Sequence, residues 1–134
     1  MTTDNIKALS SYRLVQAEES LDAARILLDQ GLIRPSVNRS YYSMFYTVLA
    51  LLASRKQETS KHSGVISVFD KEFVKAGMFS KELSHWLHKA FDLRQRSDYA
   101  AYIQVSNEDA AQILEEAGKF VAEVKRKLVE HGFL

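Results

Sequence analysis

Two short stretches of this chain combine cations with phenols in a way that could hold an anion. Arg94-Gln95-Arg96-Ser97-Asp98-Tyr99 brings two guanidinium groups, a carboxylate and a phenol into six residues. A guanidinium offers a planar fork of donors that matches phosphate or carboxylate oxygens two at a time. The second stretch, Asn38-Arg39-Ser40-Tyr41-Tyr42, puts polar and phenolic groups at the mouth of an apolar segment. Between them lies Lys61-His62-Ser63-Gly64, whose imidazole belongs to the one side-chain type that ordinarily titrates between pH 5 and 8. A simpler account covers the same residues. Arg94 and Asp98, four apart, would pair on one helical face in the less favourable order for the helix dipole, leaving Tyr99 in the core. Asn38 and Arg39 would then be a helix cap and surface charge.

Other chemistries lack their residues. His62, His85, His88 and His131 form no His-Glu-x-x-His pattern, and the chain has no cysteine, so no metal and no cofactor are expected. His85 and His88 read as two partly exposed residues flanking Trp86. A Gly-rich phosphate loop, a Gly-x-Ser-x-Gly elbow and a paired-carboxylate motif are all missing.

The elements that must position these groups read as helices. Ile6, Leu9, Leu14, Ala17, Leu21, Ala24 and Leu28 recur every three to five residues, predicting one long amphipathic helix from about Asp4 to Gln30 with Gly31 as its stop. Pro35 suits the first turn of a second helix running to about Ser54. After Ser40 that helix is apolar or aromatic on most sides, the mark of a central helix buried by neighbours. Arg55 to Thr59 reads as a loop, and a shorter helix carries Val65, Ile66, Val68, Phe69 and Phe73 to a stop near Gly77. Ser80 caps a fourth helix with Leu83, Trp86, Leu87, Ala90 and Phe91 on one stripe, which ends or bends between Arg94 and Val105. Ser106-Asn-Glu-Asp opens a last helix with Ile113, Leu114, Ala117, Phe120, Val121, Val124 and Leu128 inward, closed by Gly132.

Composition bounds the class. The 134 residues suffice for one core and suggest one domain, and 5 glycines with 1 proline leave little material for turns. The expectation is an all-α, antiparallel up-and-down bundle of about five helices spanning residues 1–134 as a single domain. A formal net charge of +1 leaves no global field for nucleic acid, so any anion site must be local. No basic, apolar leader opens the chain, and the most apolar run, Val48 to Ala53, is far short of the roughly 20 residues of a membrane span. Cytoplasm is the expected location, with no membrane association.

Taken together, Asn38-Arg-Ser-Tyr-Tyr-Ser-Met-Phe-Tyr, then Lys61-His-Ser-Gly-Val-Ile, then Phe91-Asp-Leu-Arg-Gln-Arg-Ser-Asp-Tyr resemble the HEPN superfamily (higher eukaryotes and prokaryotes nucleotide-binding), in its branch of small prokaryotic UPF0332-type proteins. The resemblance covers nearly the whole chain. It implies a helical bundle that forms a homodimer and is often encoded beside a minimal nucleotidyltransferase as a toxin–antitoxin pair. It also implies, in many members, metal-independent ribonuclease activity from an Arg-x4-6-His motif near the dimer interface. There the arginine binds the scissile phosphate and the histidine moves protons for attack by the 2′-hydroxyl.

Arg94 matches that arginine, but no histidine follows it within range; the positions after it include Asp98, Tyr99 and Tyr102. On this resemblance Arg94, Asp98 and Tyr99 are the catalytic candidates, while Arg96, Asn38, Arg39 and His62 are candidates for contact with RNA or nucleotide. Proton transfer falls to an aspartate, a tyrosine or a residue from elsewhere such as His62. The alternative is a non-catalytic module that binds a nucleotide or a partner protein, which the missing histidine favours. The apolar and aromatic surplus of the second and fourth helices predicts a dimer: light scattering at micromolar concentration should give about twice the 15.3 kDa chain mass, and a value near 15.3 kDa would count against it.

Overall fold

The computed structural model describes residues 2–57, 61–99 and 104–134, with the backbone alone for Thr3 and Tyr99. Helix α1 spans Thr3–Asp29, α2 Ile33–Ser54, α3 His62–Val68, α4 Lys81–Tyr99 and α5 Asn107–Glu130. Helix α3 runs on into a wider π-helical stretch, Phe69–Val74. No strand occurs among the described residues, as expected for an all-α bundle.

Local chemistry sets the ends. The Thr2 hydroxyl accepts from the Asn5 amide at the start of α1, and the Ser106 hydroxyl accepts from the Asp109 amide at the start of α5. Each satisfies an amide with no partner inside its helix. At the far end of α1, Gly31 takes φ +76°, a left-handed turn that suits glycine and lets the chain reverse into α2. Helix α2 begins two residues before Pro35, which remains within its first turn.

Pairings fix the topology. Ser36 Oγ donates to Ala24 O at 2.8 Å and Ser10 Oγ to Ala50 O at 3.1 Å, so α1 and α2 run antiparallel. Tyr42 meets Arg94 and Asn38 meets Asp98, so α2 and α4 are antiparallel as well. Gly118 faces Arg25 while Lys125 reaches Glu18, which sets α5 antiparallel to α1 and therefore parallel to α2. Helix α2 lies at the centre and packs against α1, α3, α4 and α5. Its Tyr41, Met44, Val48, Leu51 and Leu52 join Phe69, Leu87, Ile113, Phe120 and Val124 in one core.

The seam between α1 and α2 is made of small residues. Ala17, Ala24, Ser36, Ser43 and Ala50 are buried, and the Ser36 and Ser43 hydroxyls bond to backbone carbonyls, so two backbones approach closely with those polar groups satisfied.

The π-helical stretch was not expected from the sequence. Its Phe69 and Phe73 both face the core, with Phe69 5.4 Å from the Phe120 ring centroid. Asp70 turns onto α4, accepting from Ser84 Oγ at 2.6 Å and pairing with His88 Nε2 at 2.5 Å. His88 therefore fastens this stretch to α4, and His85 is exposed as expected.

Tight packing of the α1–α2 seam makes it sensitive to volume. Ala24→Leu should cost about 1–3 kcal/mol in urea unfolding by overpacking, whereas Ile26→Ala, at a residue 62% exposed, should stay within about 0.5 kcal/mol.

Candidate functional site

The antiparallel crossing of α2 and α4 brings the polar start of one against the end of the other. Arg94, in the last turns of α4, lies among α2 side chains with its own side chain 14% exposed. Its Nε donates to Asp98 Oδ2 at 3.0 Å and its Nη2 to the Tyr42 hydroxyl at 3.3 Å. Its guanidinium carbon sits 5.6 Å from the Tyr41 ring centroid and 5.3 Å from that of Tyr42, within range for cation–π attraction. The pairing of Arg94 with Asp98 expected from their spacing is present, and it coexists with these contacts to α2.

Asn38 joins the two stretches. Its Nδ2 donates to Asp98 Oδ2 at 3.4 Å, while its Oδ1 accepts from Arg39 Nε and Nη2 at 3.2 and 3.0 Å. Arg39 in turn lies 4.9 Å from the Tyr42 ring centroid. Arg34 donates to the Ser97 carbonyl and ties the start of α2 to the end of α4. An open groove of about 590 Å³ runs beside this network along Pro35, Asn38, Arg39 and Asp98.

His62, the first residue of α3, enters the same cluster. Its ring stacks on Phe45 at 4.2 Å between centroids and 16° between planes, and Nδ1 shares a 2.8 Å hydrogen bond with the Tyr41 hydroxyl. Burial, followed by the positive charge of Arg94, holds the His62 pKa below its usual 6.5, so the ring is neutral at pH 7. Burial pushes the Tyr41 phenol far above its ordinary range, so it keeps its proton. A phenol both donates and accepts, so this contact can hold either tautomer of the neutral imidazole, and the imidazolium as well. No hydrogen-bond partner of His62 Nε2 is found among the described residues.

With His62 neutral, Arg34, Arg39 and Arg94 stand against the Asp98 carboxylate among the described side chains of the cluster. The arrangement suits an anion, and it sets a neutral imidazole beside that anion's binding groups.

Of the seven residues singled out in the sequence, Arg94, Asp98, Asn38, Arg39 and His62 form one cluster. Arg96 does not join it: two residues beyond Arg94 it faces the other way, exposed and paired with Asp92 at 3.2 Å. Tyr99 closes α4, but its side chain, like the whole of Tyr102, lies outside the described residues. Sequence reasoning missed the part played by Tyr41, Tyr42 and Phe45 as the platform under the charged groups. The signal was the aromatic spacing of 41, 42 and 45 on one helix, which reads equally as core. Among the described residues no three His, Asp or Glu side chains form a possible metal site, and no helix is long and apolar enough to cross a membrane.

A family model described as the HEPN domain matches residues 10–127, a span that includes every residue of this cluster. The chain belongs to the HEPN family. Among relatives of this HEPN protein, a candidate toxin of Methanocaldococcus jannaschii is 37% identical over 119 residues, covering 89% of this chain and 81% of its own. A UPF0332 protein of Thermotoga maritima is 37% identical over 115 residues, covering 86% of each chain. A UPF0332 protein of Gloeobacter violaceus is 39% identical over 107 residues, covering 79% of this chain and 85% of its own.

The neighbouring cation makes a measurable claim about His62. Arg94→Gln should raise the His62 midpoint, followed through its imidazole proton resonances in an NMR titration, while leaving it below 6.5 because burial persists. An unchanged midpoint in the folded variant would mean that the guanidinium exerts no field at the ring.

Proposed function

We propose that this HEPN protein is the toxin of a toxin–antitoxin pair, that its partner is a minimal nucleotidyltransferase, and that it cleaves RNA in the cytoplasm without a metal, acting as a homodimer. The observation that carries the reading is the meeting of His62 with Arg94 across the aromatic platform of α2. It supplies from another helix the titrating group that the Arg94 motif lacks. The candidate-toxin name of the Methanocaldococcus relative supports the same direction.

In this mechanism Arg94 grips the scissile phosphate, helped by Arg39, and stabilises the charge that builds on its oxygens during attack. His62 Nε2 takes the proton from the 2′-hydroxyl in the tautomer whose Nδ1–H donates to the Tyr41 hydroxyl, and that bond keeps the ring in place. The 2′-oxygen forms its bond to phosphorus as the bond to the 5′-oxygen breaks, and the departing 5′-oxygen takes a proton from solvent, leaving a 2′,3′-cyclic phosphate and a 5′-hydroxyl. Asp98 orients Arg94, and Asn38 holds Arg39 to the same anion. Tyr99 and Arg96 are further contacts for the RNA strand. A two-fold axis would place two such clusters near one another and double the local positive charge.

A non-catalytic module that binds a nucleotide or its partner protein is the second reading. It is favoured by the Asp98 carboxylate, which already occupies Arg94.

Purified protein should cleave RNA in EDTA and leave 2′,3′-cyclic phosphate ends. Arg94→Ala should slow cleavage by about 10²–10³-fold and His62→Ala by about 10²–10⁴-fold, with both variants folded. Expression of the chain alone should arrest growth, and Arg94→Ala should abolish that arrest. No cleavage by the folded protein over several RNAs would sink the nuclease reading and leave the binding module.

A further inference from the structure

At the opposite end of α2 from the Arg94 cluster, the C-terminal ends of α2, α5 and the π-helical stretch meet around a cavity of about 260 Å³. Twelve residues separate Tyr42 from Ser54, which is about 18 Å of helix, so this cavity is remote from the Arg94 cluster. Its floor is Leu51, Phe73 and Leu128, each no more than 2% exposed. A cavity of about 150 Å³ lined by such residues stays dry and accepts a benzene ring. The larger volume here admits a ring with a short chain.

The rim differs from the floor. Arg55, Lys127 and His131 line it, and the lining contains no carboxylate. Arg55 lies 4.2 Å from the Phe73 ring centroid and makes one long hydrogen bond, 3.4 Å, to the Glu72 carbonyl. It has no ion-pair partner among the described residues. Lys127 reaches Glu130 at 3.7 Å, but that carboxylate is shared with Arg126 at 3.2 Å.

Basic side chains at helix C-termini often serve the terminal carbonyls and the dipole. Here backbone amides already take those carbonyls. Arg55 N and Lys56 N bond to Leu52 O and Ala53 O at the end of α2, His131 N and Phe133 N to Lys127 O and Leu128 O at the end of α5, and Met78 N to Phe73 O. The dipoles contribute about half a negative charge per end, which the full charges of Arg55 and Lys127 outweigh. What remains is an apolar slot under two cations with no carboxylate in its lining.

We propose that this cavity is a second binding site, for a small carboxylate with an apolar ring or short-chain body. The body would rest on Leu51, Phe73 and Leu128, and the carboxylate would pair with Arg55 and Lys127 at the rim. The ring also replaces bulk water beside the Arg55–Phe73 stack, which strengthens the ion pair there. This site is independent of the activity proposed for Arg94.

Titrating the protein with 3-phenylpropionate, 3-phenyl-1-propanol and inorganic phosphate, followed by amide chemical shifts, tests the assignment. The carboxylate should bind with a Kd of about 0.1–1 mM, with shifts confined to residues around the cavity. The alcohol should bind at least tenfold more weakly, and phosphate alone should leave the cavity resonances unmoved. Arg55→Gln should weaken the carboxylate about tenfold, while Arg25→Gln, the same charge change on the exposed side of α1, should not. No cavity shifts at 10 mM carboxylate, equal binding of the alcohol, equal binding by Arg55→Gln, or phosphate binding as tight as the carboxylate would each overturn the proposal.

Discussion

The burial of α2 is the constraint on which the rest of the molecule depends. From Ser40 onward this helix is apolar or aromatic on nearly every side, and no single neighbour can cover such a surface. Helices α1, α3, α4 and α5 therefore surround it, each along a different face. The seam with α1 uses small residues, so that pair packs closely, whereas the faces toward α3, α4 and α5 carry Tyr41, Phe45, Met44 and Leu52. Two ends of one buried helix remain where neighbours terminate, and both carry groups that the core itself does not require.

At the N-terminal end, burial and charge oppose one another. Arg94 is only 14% exposed at its side chain, so its charge loses much of its water. The loss is offset by a hydrogen bond to Asp98, another to Tyr42 and two aromatic faces. The same low-dielectric surroundings carry the field of Arg94 to His62 and, with burial, keep that imidazole neutral. A cation that is held firmly but not fully neutralised, beside a neutral base, is the property that separates this cluster from ordinary surface ion pairs. Arg96 and Asp92 illustrate the contrast, pairing on the exposed side of the same helix with both side chains more than half exposed.

The π-helical stretch links the two ends. Its Phe69 and Phe73, four residues apart, both turn inward. Phe73 then becomes one wall of the distal cavity, and Asp70 fastens the stretch to α4 through Ser84 and His88. Helix α3, which presents His62, leads directly into this stretch, so the helix that carries that imidazole is anchored at its C-terminal end.

Periodicity and end signals made the helices legible in the sequence. The stripe from Ile6 to Leu28, the stop at Gly31, the cap at Ser106 and the all-round apolar surface of α2 are local features, written in neighbouring residues and read without knowing the partner. The Arg94–Asp98 pair was equally legible, because four residues of helix place two side chains on one face. The three separated motifs carried the family. What the linear pattern left open was which long-range partners meet. His62 is 32 positions from Arg94 in the sequence, and its arrival on Phe45 and Tyr41 follows from how α3 docks on α2. The π-helical widening likewise has no periodic signature, and Arg96, two residues from Arg94, was assigned to the cluster that helix geometry turns it away from. Local structure is encoded by spacing along the chain, but the electrostatic identity of Arg94 and His62 comes from the low-dielectric company they keep, which only the packing of α2, α3 and α4 decides.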